Sequence, residues 1–122
     1  MQTIRDRVKE LRKVPASELI ENPKNWRKHP PSQRSAMAGV LGEIGLADAV
    51  IARETPEGLQ LIDGHLRQEV MGDALVPVLV VDLTEEEADK LLLTLDPLTA
   101  MATTDTDKLL GLLSEAEFTN SA

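Results

Sequence analysis

The chain has 122 residues, no cysteine, one tryptophan, one phenylalanine and a formal net charge of −8. This length suits one domain, and without cysteine the chain has no disulfide, thiolate metal site or cysteine nucleophile. No apolar run approaches the roughly 18–20 residues that a membrane span requires. The basic N-terminus lacks the apolar segment of a signal peptide, so we expect a cytoplasmic protein.

The charges are distributed unevenly along the chain. Residues 1–34 carry nine Lys or Arg against four Asp or Glu, whereas residues 35–122 carry four against seventeen. A basic segment of this kind is typical of contact with nucleic acid or nucleotide, but also of a solvated helix face, and the second interpretation is favoured for residues 5–13. The acidic remainder argues against a surface that binds DNA throughout.

The first third of the chain predicts a helix, an extended segment and a loop. Ile4, Val8 and Leu11 lie four and three residues apart, which predicts a short charged helix over residues 3–13. The segment that follows, up to residue 20, has the character of extended chain. Residues 21–31 form a polar loop whose three prolines exclude a continuous helix.

A helix and a hairpin follow the loop. Apolar residues recur at helical spacing over residues 33–44, with Ser32 as a credible N-cap and Gly45 as a C-cap. Residues 49–53 and 59–62 read as two strands joined by a Thr-Pro-Glu-Gly turn, which predicts a β-hairpin.

Residues 61–67, Leu-Ile-Asp-Gly-His-Leu-Arg, are the most informative motif. A strand–glycine–helix junction directs backbone N–H groups at an anion. Gly64 permits the tight turn, and Arg67 adds a charged fork suited to phosphate. The same residues also fit a plain turn in which Arg67 pairs with Glu69 or Asp63. The motif alone therefore leaves phosphate binding and a structural turn both open.

The last elements are a strand and two helices. Residues 76–81 are continuously apolar and read as a strand, with its proline near the start. Thr84 and Glu87 match a capping box, which predicts a helix that runs to a stop at Pro97. Asp105 or Thr106 caps a final leucine-rich helix.

Four of these segments, taken together, resemble a known family. They are an Asn-Pro pair with an arginine four residues after the proline (22–29), a helix and glycine-led strand (44–51), the glycine turn (62–67), and Val-Pro-Val followed by an acidic helix start (76–88). In this order and spacing they resemble the N-terminal domain of the ParB/sulfiredoxin superfamily, often labelled a ParB-like nuclease domain.

The resemblance implies a fold and a division of the chain. The fold is α/β (α+β), a small mixed β-sheet with interleaved helices. The ParB/sulfiredoxin-like domain covers residues 14–98, preceded by a charged N-terminal helix (1–13) and followed by a C-terminal helix and tail (99–122).

The resemblance also implies a nucleotide site. ParB binds CTP in this domain, sulfiredoxin binds ATP and a related kinase binds ADP, each with its phosphates at the glycine turn. The phosphate-binding candidates here are Gly64, His65, Leu66 and Arg67, with Arg27 from the first loop. His65 corresponds by position only, because it lies where ParB has an acid and sulfiredoxin its cysteine.

Several candidate roles keep a plainer alternative. Trp26 beside Arg27 suits base stacking, or else the ring fills the edge of the core under the loop. Asp63 and His65 are the candidate catalytic groups, although a helix-end histidine hydrogen-bonded to the loop is the favoured interpretation of His65. Asp96 is a candidate ligand for Mg²⁺ carried in with the nucleotide.

The departures from the relatives limit the expected chemistry. Residues 95–99, Leu-Asp-Pro-Leu-Thr, lack the acid and the arginine that ParB carries there, and sulfinic acid repair is excluded because the chain has no thiol. The ParB helix-turn-helix segment is also not expected. Three functions remain. The first is a CTP- or ATP-dependent switch that self-associates as a homodimer in a DNA-linked process, which is partition, a phage or mobile element, or partnership with a DNA methyltransferase. The second is an enzyme, either a nuclease or a phosphotransferase, and the third is a non-catalytic scaffold.

Overall fold

The computed structural model describes residues 3–100 and 105–116, with side chains described for all of these except residues 95–100. The strands are β1 (Val8–Pro15), β2 (Val50–Thr55), β3 (Gly58–Asp63) and β4 (Leu75–Val81), and a 3₁₀ turn (Ala16–Glu18) follows β1. The helices are α1 (Pro31–Glu43), α2 (His65–Met71), α3 (Glu85–Ala100) and α4 (Thr106–Glu115). This interleaving of a small sheet with helices confirms the predicted α+β fold.

Within the described residues the strands form one mixed sheet in the order β1-β4-β2-β3. The two central strands, β4 and β2, are parallel, whereas the edge strands β1 and β3 pair antiparallel to them. Val76, Val78 and Val80 of β4 belong to one apolar cluster and Val81 packs against a second one, and this cover on both faces explains the continuous apolar sequence of β4. The β2–β3 pair is the hairpin that the sequence predicted.

Apolar side chains on the two faces of the sheet form two clusters. The larger one contains alternate residues of the strands, including Val50, Leu61 and Val78, and Met71 of α2 packs against it. The smaller one joins Ile62 of β3 to Ala88 and Leu92 of α3. The larger cluster therefore holds α2 against the sheet and the smaller cluster holds α3 against it, near the C-terminus of β3. Among the described residues no helix is long and apolar enough to cross a membrane.

The predicted helix over residues 3–13 is wrong. Residues 8–15 instead form β1, which pairs antiparallel with β4 from Val8↔Val81 to Pro15↔Leu75. The helical spacing of Ile4, Val8 and Leu11 is real, but pairing with a buried central strand outweighs a local preference. The strand also runs across the boundary predicted between residues 13 and 14.

Two helix ends differ from the prediction. Helix α1 begins at Pro31 rather than after Ser32, because a proline is well suited to the first helical position. Helix α3 continues through Pro97 to Ala100, so the predicted stop is wrong; a proline removes its own N–H donor without preventing the next residues from being helical. The predicted caps at Gly45, with φ +95°, and at Asp105, which accepts from the Lys108 N–H, are confirmed.

An ion pair ties the start of the chain to the start of α3. Both Nη atoms of Arg7 donate to the Glu87 carboxylate, at 3.0 and 2.9 Å. Glu87 also completes the predicted capping box, since its carboxylate accepts from the Thr84 N–H and the Thr84 hydroxyl accepts from the Glu87 N–H. The hydrogen bonds from Arg7 and Thr84 lower the pKa of Glu87 from 4.5 to about 2.

This pKa predicts a pH dependence of stability. A carboxylate whose pKa is lower in the folded state stabilises the fold above its unfolded pKa, so this contribution is lost as the pH falls from 4.5 towards 2. We expect Glu87→Gln to unfold at a lower temperature than the wild type at pH 7, with the difference shrinking over that pH window. Thermal unfolding followed by circular dichroism measures it.

The matched control for this measurement is Glu86→Gln, which removes the same charge from the neighbouring exposed position of α3. A gap between wild type and Glu87→Gln that stays constant from pH 7 to pH 2 would show that the pair with Arg7 does not lower this pKa.

Candidate functional site

The glycine turn lies between β3 and α2. Asp63 ends the strand, Gly64 has φ +111° in the left-handed region, and His65 begins the helix. A Cβ on Gly64 would lie 2.3 Å from Cγ1 of Val50 and 2.7 Å from its Cβ, which is closer than real contacts allow. Both the backbone conformation and the neighbouring strand therefore require glycine here, in agreement with the predicted tight turn.

Arg67, on the first turn of α2, lies against the turn and is only 17% exposed. Its Nη1 is 3.0 Å from Oδ2 of Asp48, and its Nη2 is 3.9 Å from Oδ2 of Asp63. Nη2 also donates to the Ala49 carbonyl oxygen at 3.5 Å. Of the two sequence-predicted partners, Asp63 is present, whereas Glu69 instead contacts His29. Asp48 was not predicted.

His65 links the glycine turn to the first loop. It is buried, and the backbone N–H of Asn22 donates to its Nε2 at 3.4 Å. Burial lowers the pKa of His65, so the ring is neutral near pH 7, with Nε2 as the acceptor. This is the loop-bonded histidine that the sequence offered as the plainer alternative. A phosphate-donor or general-base role for His65 stays a prediction.

The loop over residues 22–30 is folded by its own polar groups. The side-chain oxygen of Asn22 accepts from the Lys24 N–H at 3.0 Å, and the backbone carbonyl oxygen of Asn22 accepts from the Asn25 N–H at 2.9 Å. Further along, His29 Nδ1 lies 3.1 Å from Oε2 of Glu69 on α2. The loop is thus joined to α2 at two points, through His65 and through Glu69, and stands opposite the glycine turn.

The loop presents an aromatic ring and a cation together. Trp26 is 53% exposed and is not enclosed in the core, and its stacking role stays a prediction. The guanidinium of Arg27 lies over the Trp26 ring, 5.3 Å from its centroid, which is within cation–π range. An exposed ring beside a cation is suited to stacking on a base while the charge contacts phosphate.

The loop, the turn and the start of α1 enclose a cleft of about 270 Å³. This is slightly below the usual range for ligand pockets, which begins at about 300 Å³. The cleft brings together the predicted site residues that the structure describes: Trp26, Arg27, Asp63, Gly64, His65, Leu66 and Arg67. His29 and Gln33 also line it, and Gln33 was not predicted, because only the folded chain places this part of α1 beside the glycine turn.

The described carboxylates do not gather into a metal site. Among the described side chains, which leave out those of residues 95–100, no three from histidine, aspartate or glutamate lie close enough to hold a metal ion. Asp63 lines the cleft, whereas the side chain of Asp96, the predicted Mg²⁺ ligand, lies outside the described residues. Among the described residues that line the cleft, Asp63 is the carboxylate, and carboxylate oxygen is a ligand type that Mg²⁺ accepts.

Comparison with solved structures identifies the fold. A C-terminally truncated chromosome-partitioning protein ParB from Caulobacter crescentus, complexed with CTP-γ-S, superposes with a TM-score of 0.65 and 17% identity. The match covers 80% of this chain and 57% of that one. The chain has a ParB-like fold. A Pnob8-like ParB-N domain agrees, with a TM-score of 0.58, 22% identity, and 75% of this chain and 39% of that chain covered.

The likeness is one of structure rather than of sequence. No protein-family model matches the chain, and a search of curated proteins found no match. The matched region covers only part of each structural relative, 57% of the first ParB chain and 39% of the second. At such identities the comparison shows the ParB-like fold, and the function has to be argued from the cleft itself.

Proposed function

We propose that this ParB-like domain binds a nucleotide through its phosphates in the cleft between the 22–30 loop and the Gly64 turn. The observation that carries the proposal is the placement of an exposed Trp26–Arg27 pair opposite a glycine turn that holds Arg67. These groups suit a nucleotide: an aromatic ring stacks on a base, two guanidinium groups bind phosphates, and a turn without a side chain leaves room for them.

Each group then has a distinct role. The Trp26 ring stacks on the base, and Arg27 and Arg67 contact the phosphates. Gly64, His65 and Leu66 offer backbone N–H groups, because the first N–H groups of a helix have no partner within it. His65 keeps the loop opposite the turn through its bond to Asn22. Asp63 suits a contact with Mg²⁺ that the phosphates bring with them, and the Mg²⁺ ion partly neutralises the phosphate charge.

CTP is the first candidate ligand, because the ParB of similar fold was crystallised with CTP-γ-S, and ATP or ADP is the alternative. The fold also supports the wider proposal of a cytoplasmic switch in a DNA-linked process, in which the nucleotide controls self-association or contact with DNA or with a DNA-modifying protein. An enzyme of the same fold, a nuclease or phosphotransferase, would draw on Asp63 and His65.

A second function, an interaction scaffold without ligand, is favoured by one observation. Arg67 is already engaged inside the protein, since its Nη1 lies 3.0 Å from Asp48. A scaffold would keep this pair permanently as a structural tie. The two functions therefore differ in whether Arg67 can exchange its internal partner for a phosphate.

Calorimetric titration with CTP, ATP, ADP and GTP, each with and without Mg²⁺, tests the proposal. We expect at least one nucleotide, CTP first, to bind with a dissociation constant of about 1–100 μM, or about −8 to −5 kcal/mol. Because the chain has one tryptophan and no tyrosine, Trp26 fluorescence gives an independent readout of the same binding. If all four nucleotides bind more weakly than about 1 mM, the scaffold is the better explanation.

A further inference from the structure

Two acidic residues from different parts of the chain converge on Arg67. Asp48 lies in the segment between α1 and β2, and Asp63 ends β3. Asp48 makes the close contact, with Oδ2 3.0 Å from Nη1, whereas Oδ2 of Asp63 lies 3.9 Å from Nη2. The Asp48 carboxylate is thus the direct partner of the guanidinium that lines the cleft.

The two members of this pair differ in their freedom to move. Arg67 is 17% exposed, and its Nη2 also donates to the carbonyl oxygen of Ala49, so its position is fixed by the backbone just before β2. Asp48 is 57% exposed and precedes β2, outside any helix or strand. A side chain so exposed is hydrated when it leaves its partner, so Asp48 can release Arg67 at low cost while Arg67 stays in place.

A phosphate and a carboxylate compete for the same donors of a guanidinium. A carboxylate is planar and a phosphate is tetrahedral, but the oxygens of both accept hydrogen bonds from the N–H groups of the guanidinium. A phosphate oxygen bound to Nη1 therefore excludes the Asp48 oxygen. The Asp48 charge also repels an incoming phosphate. The contact that makes Arg67 look like part of a scaffold is therefore also the contact that a phosphate has to replace.

We propose that Asp48 is an internal competitor for Arg67 and sets the affinity of the cleft for phosphate. The inference rests on the proposed function, because it concerns the same cleft. Asp48 occupies Nη1 in this structure, and the phosphate displaces it into solvent while Asp63 and the Ala49 carbonyl keep the guanidinium oriented. Asp48 is thus a residue that determines ligand affinity without contacting the ligand.

Asp48→Asn tests this inference, because it keeps the size of the side chain and removes its charge. We expect the variant to bind CTP with Mg²⁺, and inorganic pyrophosphate, about two- to fivefold more tightly than the wild type at equal ionic strength, as suits the loss of an exposed ion pair. Calorimetry measures the dissociation constants of both ligands, and thermal unfolding shows whether the variant keeps its fold.

Two further variants separate competition from a general charge effect. Asp73→Asn removes the same charge where the carboxylate accepts from the Ser17 hydroxyl, away from the cleft, and is expected to leave affinity unchanged. The double variant Asp48→Asn/Arg67→Ala is expected to lose the gain, because the gain depends on the freed guanidinium.

Each outcome decides between the two proposals. Tighter binding by Asp48→Asn alone, including binding that the wild type lacks, supports the inference. Equal or weaker binding by Asp48→Asn overturns the inference and leaves the proposed function standing when the wild type binds nucleotide. A gain that Asp73→Asn or the double variant shares also overturns it. If neither the wild type nor Asp48→Asn binds either probe, the proposed function fails and the inference fails with it.

Discussion

Gly64→Ala is expected to destabilise the protein by about 2–5 kcal/mol, a large part of the stability of an ordinary domain. The left-handed conformation, with φ +111°, costs an alanine about 1–2 kcal/mol. The added Cβ would also lie 2.3 Å from Cγ1 of Val50, a fully buried residue of a central strand that has no room to withdraw. Urea unfolding followed by circular dichroism measures the change.

Gly45→Ala is the matched control. Gly45 has a similar conformation, with φ +95°, but a Cβ there would meet no atom within 4 Å. It is expected to cost only the conformational strain, about 1–2 kcal/mol, so the difference between the two variants isolates the contact with Val50. Equal losses at the two positions would mean that the β2 backbone moves aside and that the turn is not closely packed.

Arg67→Ala is expected to weaken nucleotide binding at least about 30-fold, or by about 2 kcal/mol or more, because truncation removes a charged group to which the proposed site binds phosphate. Arg67→Lys is expected to recover little of this affinity, since an ammonium lacks the planar fork. Calorimetry with the nucleotide that binds the wild type most tightly measures both variants.

The fold should withstand this substitution. The carboxylates left behind, Asp48 and Asp63, are 57% and 37% exposed and can be hydrated, so the loss of stability should stay within about 1 kcal/mol. Arg12→Ala is the control, because Arg12 also pairs with carboxylates, Glu10 and Glu54, but lies on β1 outside the cleft. Binding that survives Arg67→Ala in a folded protein would remove Arg67 from the site.

The parts of the site that the sequence predicted are those fixed by local chemistry. The glycine turn at Gly64, the hairpin that precedes it and the Thr84–Glu87 capping box each depend on residues a few positions apart. The resemblance to the ParB/sulfiredoxin superfamily also implied that Arg27 and Arg67 belong to one site, and both line the cleft. Here the local signals and the fold agree, so pattern and structure coincide.

The parts that were missed depend on contacts between distant segments. Asp48 reaches Arg67 across the start of β2, and Glu69 reaches His29 across the cleft. Neither pair has a signature in the linear sequence, because an exposed acid between a helix and a strand looks like any solvated residue. The mistaken N-terminal helix has the same origin: only pairing with β4 makes residues 8–15 a strand.

The pairing of β1 with β4 also bears on how the chain folds. Of the four described strands β1 comes first in the sequence, yet its partner β4 follows the hairpin and α2, so this pair cannot form until β4 has been synthesised. The hairpin forms from neighbouring residues and needs no such delay. We therefore expect the β2–β3 hairpin to form early and β1 to pair with β4 late, which completes the sheet at that edge.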